Sequence, residues 1–182
     1  MSDMRNDPAV KKVNEIPDCA GGAPEPFILC DEQDVDVIYR IATADYDKFS
    51  DSCEAVFGDD GELYVSLTFK SCLQHKFGYP NEEAIEGHPK FAAGLRIYSC
   101  FKLEASDWLT ELEIQNRVHP LHQKDLFSKY RHFIFPFHDT TFECLAQAYE
   151  VKVYKGWHHR VMLERLKCFP GWLREELGTK PD

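Results

Sequence analysis

Six of the eight histidines in this chain fall between His119 and His159, and four of them share a stretch rich in other groups that move protons or grip ligands. In order, residues 116–143 carry Asn116, Arg117, His119, His122, Arg131, His132, His138, Asp139, Thr140 and Glu143. Imidazole changes charge near neutral pH, and a carboxylate that accepts one of its N–H groups fixes which nitrogen is left to react. Arginine adds a planar fork for a carboxylate or phosphate. Together these types point to a small polar pocket. In it, His119 and His138 transfer protons or touch a ligand, and Asp139 orients one of them. Asn116, Arg117, Arg131 and His132 hold a small anionic or amide-bearing molecule.

The same residues admit a metal reading. His119 and His122 are three apart, and with His138 as a third ligand they would leave an open coordination position for a divalent ion. The chain has no His-Glu-x-x-His string and no Cys-x-x-Cys pair, so the metal-free pocket is the preferred reading and no cofactor is assigned. A thiol nucleophile at Cys144 or Cys100 is weaker still, since nothing in the sequence marks a lowered thiol pKa. Against all of these stands a structural reading, in which the histidines pin loops to a sheet. A second candidate region runs from Phe77 through Pro80, Asn81, Glu82 and Glu83 to Gly87-His88-Pro89, where aromatics beside Gly and Pro could rim a pocket.

The elements that must position these groups show mainly a period of two. Val35, Val37, Tyr39 and Ile41 alternate with Asp36, Ile38 and Arg40. Leu63, Val65, Leu67 and Phe69 oppose Tyr64, Ser66, Thr68 and Lys70. Leu95, Ile97, Phe101 and Leu103 predict a further strand, and Cys53–Phe57 a short one that leads into a turn at Asp59-Asp60-Gly61. Phe133, Phe135 and Phe137 put three rings on one face, which places His132 and His138 on the other, and Pro136 suggests an edge or a bulge. His138–Thr141 predicts a turn into a strand from Phe142 to about Tyr154.

Asn81 before Glu82 and Glu83 marks a short helix. Ser106 caps a second helix, ended by Pro120, and residues 126–130 suggest a third. Residues 158–168 fit helix or strand. The expected fold is α+β: a mostly antiparallel, curved sheet of about six strands with two or three short inserted helices. A Pro- and Gly-bearing stretch at 1–26 reads as a flexible arm, 27–177 as one domain and 178–182 as a frayed tail.

With 182 residues, a formal charge of −10 and 43% apolar residues, the chain is long enough for one packed domain. Its acidity argues against a nucleic-acid partner, and no apolar run approaches the roughly 20 residues that cross a membrane. Seven scattered cysteines and a polar start fit a reduced, cytoplasmic protein. Residues 31–62 hold 11 acids against 2 bases. That concentration supports an alternative function, an acidic interaction or immunity-like module that meets a basic protein partner without catalysis.

Overall fold

The computed structural model describes residues 10–57 and 61–167. Among the described residues ten strands follow one another: β1 (Val10–Lys12), β2 (Phe27–Cys30), β3 (Val35–Arg40), β4 (Cys53–Phe57), β5 (Glu62–Lys70), β6 (Gln74–Gly78), β7 (Phe101–Leu103), β8 (Arg131–Pro136), β9 (Thr141–Ala146) and β10 (Ala148–Gly156). The helices are α1 (Tyr46–Phe49), α2 (Asp107–Asn116), α3 (Lys124–Phe127) and α4 (His158–Leu166), with a 3-10 turn at Glu82–Gly87. The fold is α+β and mostly antiparallel, as the alternation predicts. Its strands divide into two five-stranded sheets, ordered β1-β7-β8-β9-β6 and β2-β3-β5-β10-β4, rather than one sheet of about six. Among the described strands only β4 on β10 is parallel.

The division occurs where two paired strands change sheet side by side. The long strand expected from Phe142 to Tyr154 breaks at exposed Gln147, whose N–H donates to Lys70 O at 3.1 Å. Its partner breaks at Ser71, in the left-handed region with φ 50°, and Leu73 N–H then donates to Leu145 O at 2.8 Å. So β5 and β10 pair in one sheet, and their continuations β6 and β9 pair in the other.

The predicted inward faces meet between the sheets. Val37, Tyr39, Val65, Leu67 and Phe69 pack against Phe133, Phe135, Phe137 and Phe142, all at most 2% exposed. Tyr39 meets Phe135 edge-on with centroids 4.9 Å apart, a favourable aromatic geometry. Burial on this scale is the main force that fixes the register of every strand contributing a ring.

Three local expectations change. Residues 10–26 do not read as an arm over their described part: β1 pairs with β7, and Val13, Ile16 and Cys19 are buried in the inter-sheet core. Apolar side chains spaced three apart give that segment burial enough to offset its prolines and glycines. Leu95 and Ile97 are not in a strand. They lie in the connection between the 3-10 turn and β7 and pack with Ile85, Phe101, Leu103 and Ile134 over the outer face of the first sheet. Pro136 ends an interior strand without a bulge, because β7 pairs with β8 no further than Ile134, so the missing N–H leaves no ladder bond unmade. Residues 158–166 resolve as helix α4, whose Val161 packs on Ile38, Tyr64 and Tyr154. Asp59 and Asp60 of the expected turn, and the tail expected at 178–182, lie outside the described residues.

Candidate functional site

The residues grouped at 116–143 by sequence separate into three places. The first is the end of α2. Ser106 caps that helix, its Oγ accepting from Leu109 N–H at 3.1 Å. One turn before the end, buried Glu113 accepts from Arg117 Nε and Nη2 at 3.1 and 2.8 Å. His122 folds back so that Nε2 lies 3.1 Å from Glu113 and Nδ1 lies 3.0 Å from Asn116 Oδ1. The Arg117 guanidinium and then His122 hold the Glu113 carboxyl below its ordinary range, against the opposing effect of burial. Arg117, Asn116 and His122 are thus engaged with one another. His119 turns the other way, exposed, its Nδ1 accepting from Leu121 N–H at 3.1 Å. Arg131 binds the carbonyls of Ser128 and Tyr130.

The second place is the outer face of the first sheet at the start of β8. His132, 6% exposed, lies 2.9 Å through Nδ1 from Ser106 Oγ and 2.8 Å through Nε2 from Glu143 Oε2. The Trp108 indole meets its ring edge-on at 5.3 Å, and His88 Nε2 stands 3.6 Å from the other Glu143 oxygen. Burial works to raise the Glu143 carboxyl, but His132 and then His88 outweigh it and hold the pKa at about 2.

The third place is the β8–β9 turn. His138 lies beyond the end of β8, so it does not share a face with His132; six extended residues separate them by roughly 20 Å. His138 Nδ1 sits 2.9 Å from Glu82 Oε1, and Tyr98 O–H donates to the other Glu82 oxygen while lying 3.3 Å from the same Nδ1. Backbone bonds assemble this corner: Glu82 N–H donates to His138 O at 2.8 Å, and Tyr98 N–H to Pro136 O at 2.7 Å. Tyr98 reaches it from a left-handed backbone, φ 67°. Asp139, expected to orient an imidazole, is 86% exposed and 3.9 Å from Nε2, so Glu82 takes the orienting role. The Glu82 hydrogen bond raises the His138 pKa above its ordinary value, with Asp139 and Glu83 adding to it. The Glu82 carboxyl is lowered by Tyr98 first and His138 second.

His119, His122 and His138 therefore do not converge, and among the described residues no group of three or more His, Cys, Asp or Glu is placed to hold a metal ion. Cys144 and Cys100 are buried in the core, which pushes both thiols up, so neither is an activated nucleophile. The acidic stretch is also partly internal. Asp36, 1% exposed, accepts from Arg165 Nε at 2.7 Å and from Ser66 and Thr68, and Asp34 and Glu62 pair with Lys70 and Arg40.

Glu82, Tyr98 and Ser106 were absent from the sequence-derived pocket because their contacts to it are long-range. Only the Asn81-Glu82-Glu83 cap within the second candidate region hinted at the first. No helix among the described residues is long and apolar enough to cross a membrane. No protein-family model, curated protein or solved structure matches the chain, so its residues' roles rest on their geometry.

Proposed function

We propose that this protein binds a small amide-bearing ligand at the Glu82–Tyr98–His138 corner, with His138 Nε2 as the atom that meets it and exchanges a proton with it. The observation that carries this reading is the asymmetric use of the ring. Glu82 holds Nδ1 at 2.9 Å, while Nε2 has no hydrogen bond among the described residues and the side chain is 32% exposed. A carboxylate on one nitrogen fixes ring and tautomer and leaves the other free for acid–base work.

Of the two ligand kinds suggested by sequence, an anion suits this corner less. Arg117 is bound to Glu113, whereas Glu82, Glu83 and Asp139 give the corner negative charge. A neutral amide supplies both an acceptor for an imidazole N–H and a donor for the acids. Tyr79, 84% exposed and joined to Pro80 beside Glu82, offers a ring against which such a ligand can lie. Residence in the reducing cytosol suits the free thiols of the six described cysteines.

The test is an NMR titration of the His138 ring with N-methylacetamide, acetate and inorganic phosphate in turn. The amide is expected to move the His138 resonances and leave those of His122 in place. Movement with the anions alone, or movement confined to His122, would overturn the reading.

A further inference from the structure

We propose that Ser106 is a nucleophile for acyl transfer from small carboxylic esters, with His132 as its general base and Glu143 as the positioning carboxylate. This is a second centre, separate from the His138 corner and independent of it. It is built from three elements that converge on one chain of hydrogen bonds: the N-cap of α2, the start of β8, and the middle of β9.

The proton positions follow from the contacts. An ionised carboxylate only accepts, so the 2.8 Å contact between Glu143 Oε2 and His132 Nε2 requires the proton on Nε2. In the neutral form of the ring Nδ1 carries a lone pair, and the 2.9 Å contact to Ser106 Oγ is then a hydrogen bond donated by the hydroxyl. Burial of His132 at 6% exposure, with the Trp108 indole against it, limits other arrangements of the ring. A hydroxyl oxygen has two lone pairs. One accepts from Leu109 N–H at 3.1 Å, and the other is left to attack. The Leu109 N–H also favours negative charge on Oγ as the proton leaves. Nucleophile, base and orienting acid thus stand in mutual hydrogen-bond reach, the arrangement by which such a relay is recognised whatever its chain order. Ser106 itself is half-buried, at the N-cap of α2.

The reaction balances without a cofactor. Ser106 Oγ bonds to the ester carbonyl carbon while its proton passes to His132 Nδ1. The carbon–alkoxy bond then breaks, and Nδ1 returns that proton to the departing alcohol. Water attacks the acyl-serine, giving one proton to Nδ1 and its oxygen to the carbonyl carbon. The Ser106 Oγ–carbon bond breaks, and Oγ recovers the proton from Nδ1. One ester and one water become one carboxylic acid and one alcohol.

The experiment treats the full chain with a fluorophosphonate, in which Oγ displaces fluoride at phosphorus, and locates the adduct by mass spectrometry. The same samples are assayed for p-nitrophenyl acetate hydrolysis. Ser106→Asn keeps an N-cap side chain but removes the nucleophile. Glu143→Gln keeps an acceptor for Nε2–H but removes the charge. The expected result is a single adduct on Ser106 in the wild type and none in Ser106→Asn. Labelling should slow about a hundredfold or more in Glu143→Gln with p-nitrophenyl acetate KM little changed, a kcat effect that a purely structural carboxylate would not give. Circular dichroism confirms that both variants are folded. A wild type that remains unlabelled at Ser106, or a folded Glu143→Gln variant that labels at the wild-type rate, overturns the proposal.

Discussion

At the start of β8 an imidazole is enclosed between a hydroxyl and a carboxylate; just past the strand's end another is held by one nitrogen only. His132 is 6% exposed, and both of its nitrogens have protein partners. His138 keeps a third of its side chain in solvent, and Nε2 is free to meet a ligand. The difference comes from what covers each end of the first sheet. Trp108 and the loop bearing His88 lie over the start of β8, whereas the turn after Pro136 meets Glu82 and Tyr98 at its flank. The same residue type thus becomes a buried ring bonded through both nitrogens at one end and an outward-facing group at the other. Burial together with partner count, rather than the presence of histidine, separates the two.

The largest effect that can break this contrast is on stability. His132→Ala leaves Glu143 buried with one weaker partner and Ser106 without its acceptor. The expected cost is about 4 kcal/mol, the range for leaving a buried charge, here the Glu143 carboxylate, without its main partner. For a chain of this size that lowers Tm by roughly 10 °C. His138→Ala, by contrast, should leave the melting temperature close to that of the wild type and abolish the N-methylacetamide response. Differential scanning calorimetry of the two variants, with the NMR titration on the second, checks both. Equal losses of Tm would erase the distinction between the two ends.

The acid limb of stability comes next. The Glu143 carboxyl is held at about 2 in the fold, below its ordinary 4.5, so the folded state favours the ionised form. Its contribution is complete above about pH 4.5 and is lost as pH falls toward 2, on the order of 3 kcal/mol over that window. Glu143→Gln should flatten this limb in denaturant melts recorded between pH 2 and pH 5. The corner at His138 has the opposite sign. Its pKa is raised above 6.5, so the contribution is present below pH 6.5 and fades as pH rises through the folded value. Glu82→Gln should return the His138 titration toward its ordinary value, read directly from the ring resonances. No shift on that substitution would mean that Glu82 does not orient the ring.

Much of this frame was legible in the sequence because it rests on period-two burial. Val37, Tyr39, Val65, Leu67, Phe133 and Phe135 point inward as their spacing predicts, and Asn81 and Ser106 cap as their types predict. The change of sheet at Gln147 was not legible, since a polar residue in a long alternating run reads equally as an outward position. At the site, His138 was found as a chemical group while its partner was misassigned. Asp139 is adjacent in sequence, whereas Glu82 reaches His138 across 56 residues of chain through a backbone bond no local pattern encodes. Proximity in sequence also grouped Arg117 and His122 with His138, from which the structure separates them. A polar helix end can satisfy itself, as Glu113 does with both.

The smallest expected effect is the sharpest test of that last separation. His119 is exposed, and among the described residues its side chain bonds only to the Leu121 backbone N–H. His119→Ala should therefore change neither the melting temperature, nor the response of His138 to N-methylacetamide, nor the labelling of Ser106. A loss of either site reaction, measured in the same titration and the same adduct assay, would bring the end of α2 back into contact with one of the two centres. It would also mean that the hydrogen bonds closing Glu113, Arg117 and His122 on one another open in solution. Silence at His119 leaves the two proposed centres at the two ends of β8, separate from the end of α2.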